Sequence, residues 1–426
     1  MTLDRHTAEI VAIGSELVTP DRIDSNSLFL TARLNDLGVI VRAKAVVGDD
    51  VDDVVSVIRS ALTRTNLVIT TGGLGPTADD VTREAVAKVF GRTLSEDASI
   101  LSAIEERFRR RGAAMPAINR RQAMVIEGAI VLPNPHGTAP GQLLVMGQQI
   151  VAVLPGPPRE MQPMFEDSVV AAIRARVGGD RLLRRRVLKV TGRSESQIEE
   201  IAQPIYSTLG NERVRVETTI LASPGQIELH LVGMGTDEGA LEHELDSGVD
   251  RLQQALGSVV FSADGRTLER TVGDLLCERG WFVAAAESCT AGLILGRLTD
   301  VPGSSAWVLG GVVAYANDVK VQELGVGAAV IAVHGAVSEP VALAMASGVR
   351  QKFGADIAAA ATGIAGPAGG TPAKPVGTVV ISVATAVTAV VRTFTFPGDR
   401  ETIRRHATAA ALDMLRRVLR DLPVHT

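Results

Sequence analysis

Two stretches of this chain hold polar residues in arrangements able to do chemistry. In the C-terminal third, Ala286-Glu287-Ser288-Cys289-Thr290-Ala291-Gly292 follows a strand expected over 281–285 and opens a helix. Downstream, in order, come Gly303-Ser304-Ser305, Tyr315, Lys320, Thr362-Gly363-Ile364-Ala365-Gly366, Lys374 and Gly398-Asp399-Arg400. The seven histidines are scattered and no Gly-x-Ser-x-Gly turn occurs. Neither a histidine metal cluster nor a serine elbow is therefore at hand, and a serine activated by lysine remains. Lysine acts as a base only when its neutral form is populated; burial or a nearby cation achieves that by lowering its pKa. Cys289 is the rival nucleophile, because a helix N-terminus lowers a thiol pKa, but no histidine lies near it in sequence.

The second stretch is Thr70-Thr71-Gly72-Gly73-Leu74-Gly75-Pro76-Thr77-Ala78-Asp79-Asp80-Val81-Thr82. It follows an apolar run over 67–71 and leads into helical spacing over 79–90. Glycines let backbone N–H groups approach an anion closely, and a helix N-terminus favours negative charge. Asp79 and Asp80 fall in the first helical turn on this reading. Two carboxylates beside a phosphate cradle suit a divalent cation that bridges protein and phosphate oxygens. The plain alternative is that Asp79 caps the helix. Glu16, Asn26 and Asp50 lie near other expected strand ends and would complete the pocket.

The elements that must position these residues are legible in outline. Strands expected over 8–13, 39–47, 67–71 and 149–154 alternate with helices over 24–37, 51–62, 79–90 and 96–111. That order predicts βαβ units and a parallel-rich sheet. Ligands in such sheets bind beyond the carboxyl ends of the strands, and Gly14, Gly72 and Pro155 mark those ends. A small α+β module follows, opened by a helix. It has a strand over 183–191, a helix over 195–209 capped by Ser194, a hairpin around Ser223-Pro224-Gly225 and a charged helix over 237–256. It gathers no catalytic side chains and reads as a linking module. The last segment alternates helix and strand again and closes on an amphipathic helix over 400–419. Three domains are expected, at 1–160, 161–262 and 263–426.

Composition agrees with several packed cores: 426 residues, 46% hydrophobic and 21% charged. Aromatics are only 3%, so Val, Ala, Leu and Ile must fill them. A net charge of −5 with mixed signs argues against a nucleic-acid binder, which needs a basic stripe. No apolar run reaches the roughly 18 residues of a membrane span, and residues 1–9 lack a signal-peptide core. A cytoplasmic location without membrane contact is the expectation. Two cysteines make no disulfide framework.

The ordered C-terminal motifs resemble the CinA C-terminal domain, the PncC-type nicotinamide-nucleotide amidase. The N-terminal string, with Leu154-Pro155-Gly156-Pro157-Pro158-Arg159-Glu160-Met161, resembles the MoaB/MogA-like domain of CinA proteins. The resemblance implies a three-layer α/β domain, a KH-like middle module and an α/β amidase domain. It implies hydrolysis of nicotinamide mononucleotide to nicotinic acid mononucleotide and ammonia, with no cofactor, in the C-terminal domain. For the N-terminal domain it implies divalent-metal-dependent cleavage of ADP-ribose to AMP and ribose 5-phosphate. Better-known relatives of that fold bind molybdopterin. The residues carried over are Asn26, Gly72 and Gly73 for substrate, and Glu16, Asp50, Asp79 and Asp80 for the metal. A homodimer working in pyridine-nucleotide salvage is also implied. The chain departs from the family at Thr290-Ala291-Gly292, where Thr-Gly-Gly is usual, and at Leu17-Val18-Thr19-Pro20, where Leu-Leu-Leu-Gly is usual.

Amide hydrolysis needs a nucleophile, a base, oxyanion donors and a leaving-group acid. The expectation is Ser305 as nucleophile, Lys320 as base and Tyr315 as proton relay, because the three lie on consecutive elements that could meet at one strand end. Thr362 and the N–H groups of Gly363 to Gly366 would bind the oxyanion or the 5′-phosphate. Arg400 or Arg404 would grip phosphate bidentately. Ser288 and Thr290, at a helix start, suit phosphate or ribose, and Ser288 stays an alternative nucleophile. Two readings lie outside this one: a non-catalytic partner protein tied to competence or DNA damage, and an N-terminal domain that only binds a pterin.

Overall fold

The computed structural model describes residues 6–177 and 181–424. It divides into two compact units. One comprises Met1–Arg184, Glu212–Arg215 and Gly233–Glu242; the other comprises Arg185–Asn211, Val216–Val232 and His243–Thr426.

The first unit is built on a six-stranded sheet, ordered Ile40–Val47, Thr7–Ile13, Leu67–Thr71, Gln149–Leu154, Gly141–Met146, Ile130–Leu132. The first four strands run parallel and the last two antiparallel. Thr7–Ile13 is buried at every residue, as a strand covered on both faces must be, and its one charge, Glu9, is paired with Arg64. Ala8 and Ile10 enter a core with Leu30 and Leu34 of the helix Ser25–Asp36. Val11 and Ile13 enter the opposite core with Val54 and Ile58 of the helix Val51–Arg64. Helices thus cover both faces of the sheet. The helical stretch 158–177 belongs to this unit, since Met161, Met164, Phe165 and Ile173 fill the first of those cores. The expected boundary at 160 cuts through that helix and is corrected.

The small module's sheet is ordered Val214–Ser223, Gln226–Gly235, Leu182–Thr191, Val260–Ser262. Its helix Glu195–Tyr206 starts on a capping box formed by Ser194 and Gln197.

The C-terminal sheet is ordered Val308–Val313, Val283–Glu287, Ile357–Gly363, Thr378–Ala384, Ala389–Thr395. Its first three strands are parallel and its last two antiparallel. Alternation splits the central strands between two cores. Ala285, Ala359 and Ala361 face the helices Leu268–Arg279 and Arg400–Leu419; Ala284, Ala286, Ala358 and Ala360 face Glu339–Phe353. Among the described residues no helix is long and apolar enough to cross a membrane.

Candidate functional site

The C-terminal site forms where two parallel strands end side by side. Val283–Glu287 pairs with Val308–Val313 so that Glu287 lies opposite Val313. The chain therefore leaves the sheet at Ser288 beside Ala314. Ser288 N–H donates to Ala361 O at 2.9 Å, tying the turn to the third strand. Glu287 is fully buried. Its carboxylate accepts from Gly292 N (2.8 Å), Ile294 N (3.1 Å) and Leu295 N (3.0 Å). One side chain so folds the turn back and satisfies the orphan donors of the next helix, Leu293–Thr299.

Lys320 enters from the helix Asn317–Leu324 and is 1% exposed. Its Nζ contacts Ala314 O at 2.9 Å, Tyr315 O at 3.1 Å and Ser288 Oγ at 3.2 Å. No carboxylate among the described residues pairs with it, and burial pushes its pKa below the ordinary lysine value. As an ammonium, Lys320 donates to all three oxygens; once neutral, it still donates to the two carbonyls and its lone pair can accept the Ser288 proton.

Ser305 is corrected as the nucleophile. It sits exposed in a one-turn helix, Ser304–Ala306, ahead of the strand Val308–Val313. Lys320 lies beyond that strand's other end, so roughly 20 Å of extended chain separates them at about 3.3 Å per residue. Tyr315 is corrected as the relay. The residue is 60% exposed, its phenol oxygen accepts from Arg400 at 3.2 Å, and only its backbone carbonyl meets Lys320. Cys289 is 4% exposed, and burial pushes its thiol up to about 12, so no thiolate forms there at neutral pH.

Arg404 donates through Nε to Cys289 O (3.0 Å) and through Nη2 to Thr290 O (2.9 Å). It holds the turn rather than a ligand. Arg400 is exposed, donates to Gly366 O at 2.9 Å, and stays the better placed of the two for a phosphate. The Thr362 hydroxyl is committed to Ala336 O at 2.9 Å, and Ile364 N–H to Thr378 O at 2.8 Å. The Thr362 hydroxyl and the Ile364 N–H are thus spent on the fold, and Gly363 ends the strand. The Thr290 hydroxyl is buried without a partner in the protein.

Ala291 stands at φ +51°, a left-handed conformation that a Cβ disfavours by about 1–2 kcal/mol. Ala291→Gly is therefore expected to stabilise the chain by about 1 kcal/mol with turnover little changed. Chemical denaturation followed by circular dichroism measures this.

In the first unit, Glu16, Asn26, Gly72, Gly73, Asp79 and Asp80 all line one cavity of about 460 Å³ at the strand carboxyl ends. Asp50 does not. It caps Val51–Arg64, accepting from Asp52 N and Asp53 N, and its neighbour Asp49 faces the cavity instead, accepting from Ser15 N at 2.6 Å. The helix after the glycine loop starts at Thr82, not 79. The Asp80 carboxylate closes the loop, accepting from Gly75 N (2.6 Å), Thr77 N (2.9 Å) and Thr77 Oγ1 (2.6 Å). Asp80 thus shapes the loop as well as lining the cavity, with lone-pair sites left on its oxygens. Gly72 is required by packing: a Cβ there would lie 2.0 Å from Ile13 O. Asn26 donates to Thr71 Oγ1 and Gly156 O, leaving Oδ1 buried and unpartnered in the protein. Buried Arg83, which sequence reasoning missed, donates to Leu74 O and Gly75 O and fixes the loop from below.

No three His, Cys, Asp or Glu side chains among the described residues converge as an ion cage. The donor set fits a cation shared between one or two carboxylates and substrate phosphates, the usual Mg²⁺ arrangement.

These are two α/β domains, each with a polar site at strand carboxyl ends, with a small module between them in sequence. Residues 265–419 match the family described as the CinA C-terminal domain, and residues 9–175 match the probable molybdopterin binding domain. The chain is 43% identical over 410 residues to a CinA-like protein of Solibacter usitatus, covering 96% of this chain and 97% of that one. It is 43% identical over 417 residues to a CinA-like protein of Koribacter versatilis, covering 97% and 99%. The crystal structure of the competence/damage inducible protein CihA from Agrobacterium tumefaciens is 41% identical, covering 36% of this chain and 93% of that one, with a TM-score of 0.35. The chain belongs to the CinA family.

Proposed function

We propose that the C-terminal domain hydrolyses the carboxamide of nicotinamide mononucleotide with Ser288 as nucleophile and Lys320 as base. The observation that supports this is a buried lysine, free of any carboxylate partner among the described residues, 3.2 Å from a serine hydroxyl at a strand carboxyl end. Lys320 takes the Ser288 proton as Oγ bonds to the amide carbon. It then gives that proton to the departing nitrogen, so ammonia leaves and an ester remains. Water, deprotonated by the same amine, cleaves the ester to nicotinic acid mononucleotide. Ammonia release by EDTA-treated protein tests this reading: activity without metal supports it, and none from folded protein rejects it.

The N-terminal domain, on the same reading, cleaves the pyrophosphate of ADP-ribose to AMP and ribose 5-phosphate. A divalent cation would be held there by Asp79 with Glu16 or Asp49 and would neutralise the pyrophosphate. Asn26 Oδ1 would accept a ribose hydroxyl. Asp79→Ala is expected to lower metal-stimulated AMP formation from ADP-ribose at least tenfold, whereas Asp50→Ala leaves turnover unchanged and only loosens a helix cap. AMP quantified by chromatography checks both. The match of residues 9–175 to a molybdopterin binding domain favours pterin binding as the second reading, and absence of AMP formation with retained pterin binding would select it.

A further inference from the structure

We propose that the second unit carries a binding site for a nucleotide-sized aromatic anion, separate from the Ser288 turn. A cavity of about 380 Å³ lies between the loop 191–195, the hairpin turn 222–227, and the outer side of Ala389–Thr395 and Arg400–Leu419. Small-molecule sites occupy about 300–1,000 Å³.

Its chemistry is specific. One wall is a ladder of rings. Phe394 and Phe396 stack with centroids 5.2 Å apart and planes 12° apart, and Phe396 and His406 with 5.4 Å and 15°. Aromatics make up 3% of the chain, so three stacked rings on one cavity wall are a local concentration. Arg392 lies over the Phe394 ring at 4.8 Å, with one N–H fixed on Val424 O at 3.1 Å. Arg193 and Arg417 also line the cavity. The carboxylates are Asp413, already committed to Arg416 and Arg417, and Glu195. Arg417 is spent on the same Asp413, so the uncommitted charges are the guanidinium groups of Arg193 and Arg392 against the one carboxylate of Glu195. Flat apolar surface beside guanidinium is the combination that holds an aromatic base and its phosphate.

The cavity is fixed in shape. Thr191 Oγ1 donates to Gly225 O at 2.7 Å. Gly225, at φ +80°, lies so close to the helix that a Cβ would stand 2.6 Å from Ala409 Cβ. The helix that carries Arg404 to the Ser288 turn presents His406 to this cavity two residues later, and Ser288 and Lys320 do not line it.

Equilibrium dialysis of the full chain against the four ribonucleoside 5′-monophosphates tests the proposal without reference to amidase activity. The expected result is a site that Arg392→Gln weakens about tenfold or more and that Ser223→Trp, which fills the mouth from an exposed hairpin position, removes. Unchanged thermal midpoints show that both variants fold. Absence of monophosphate binding to the unaltered chain, or binding equal in the chain and both variants, overturns it; the latter places the nucleotide elsewhere, at the Ser288 turn or in the first unit's cavity.

Discussion

Lys320→Ala and Ser288→Ala are each expected to lower ammonia release from nicotinamide mononucleotide by roughly a thousandfold or more, while Ser305→Ala stays within about twofold. The asymmetry follows from placement. Ser288 and Lys320 share a hydrogen bond at the strand carboxyl ends, and Ser305 lies at the opposite end of the same strand pair. A near-normal Ser288→Ala with a dead Ser305→Ala would reverse the assignment. Lys320→Arg separates charge from base strength. A guanidinium keeps its proton at every accessible pH, so this variant is expected to be inactive throughout.

The pH profile carries the same information. Only neutral Lys320 can accept the Ser288 proton. Burial holds its pKa below the ordinary 10.5, so the amidase rate should rise with pH through that lowered value and level off above it. The sign for stability agrees. A lysine with a depressed folded pKa binds fewer protons in the native state than in the unfolded one. The cost of burying its charge therefore applies in full below the folded pKa. It is relieved as pH rises from that value towards the unfolded one. A rate with no rise at any pH below the ordinary lysine value would remove Lys320 from the role of base.

The alternation of strands and helices was legible because strands such as Gln149–Leu154 are covered on both faces and read as apolar runs, Ile150 to Leu154 here. The loops near Gly14, Gly72 and Pro155 were legible for the same reason, since each follows such a run. The pairing of side chains inside the sites was not. Ser305, Tyr315 and Lys320 are neighbours in sequence order, but order does not say which end of a strand each occupies. One usable signal existed. Ser305 precedes an apolar run and Ser288 follows one, and ligands in such sheets sit beyond carboxyl ends. Asp49 and Asp50 show a finer limit. Which of two adjacent carboxylates caps the helix and which faces the cavity is decided by one residue of phase. That Asp80 also closes a loop through Gly75 and Thr77 was not legible, because it depends on chain reversal.

Glu287→Ala is expected to destabilise the chain by about 4 kcal/mol and to reduce amidase turnover about a hundredfold, although Glu287 touches no reacting atom. Removing the carboxylate strands three backbone N–H groups, at Gly292, Ile294 and Leu295, and each unsatisfied buried donor costs about 1–3 kcal/mol. The turn they close also carries Ser288, and a displacement near 1 Å can cost about a hundredfold in rate. Glu287→Gln keeps one acceptor oxygen, so it should fold and lose about half as much stability on denaturant titration. The decisive readout is the pH profile of that variant. A positioning residue lowers kcat while leaving the alkaline rise set by Lys320 in place. If Glu287→Gln shifted the rise itself, Glu287 would be acting on the proton of Lys320 directly, and the separation between the residue that shapes the turn and the residue that moves the proton would fail.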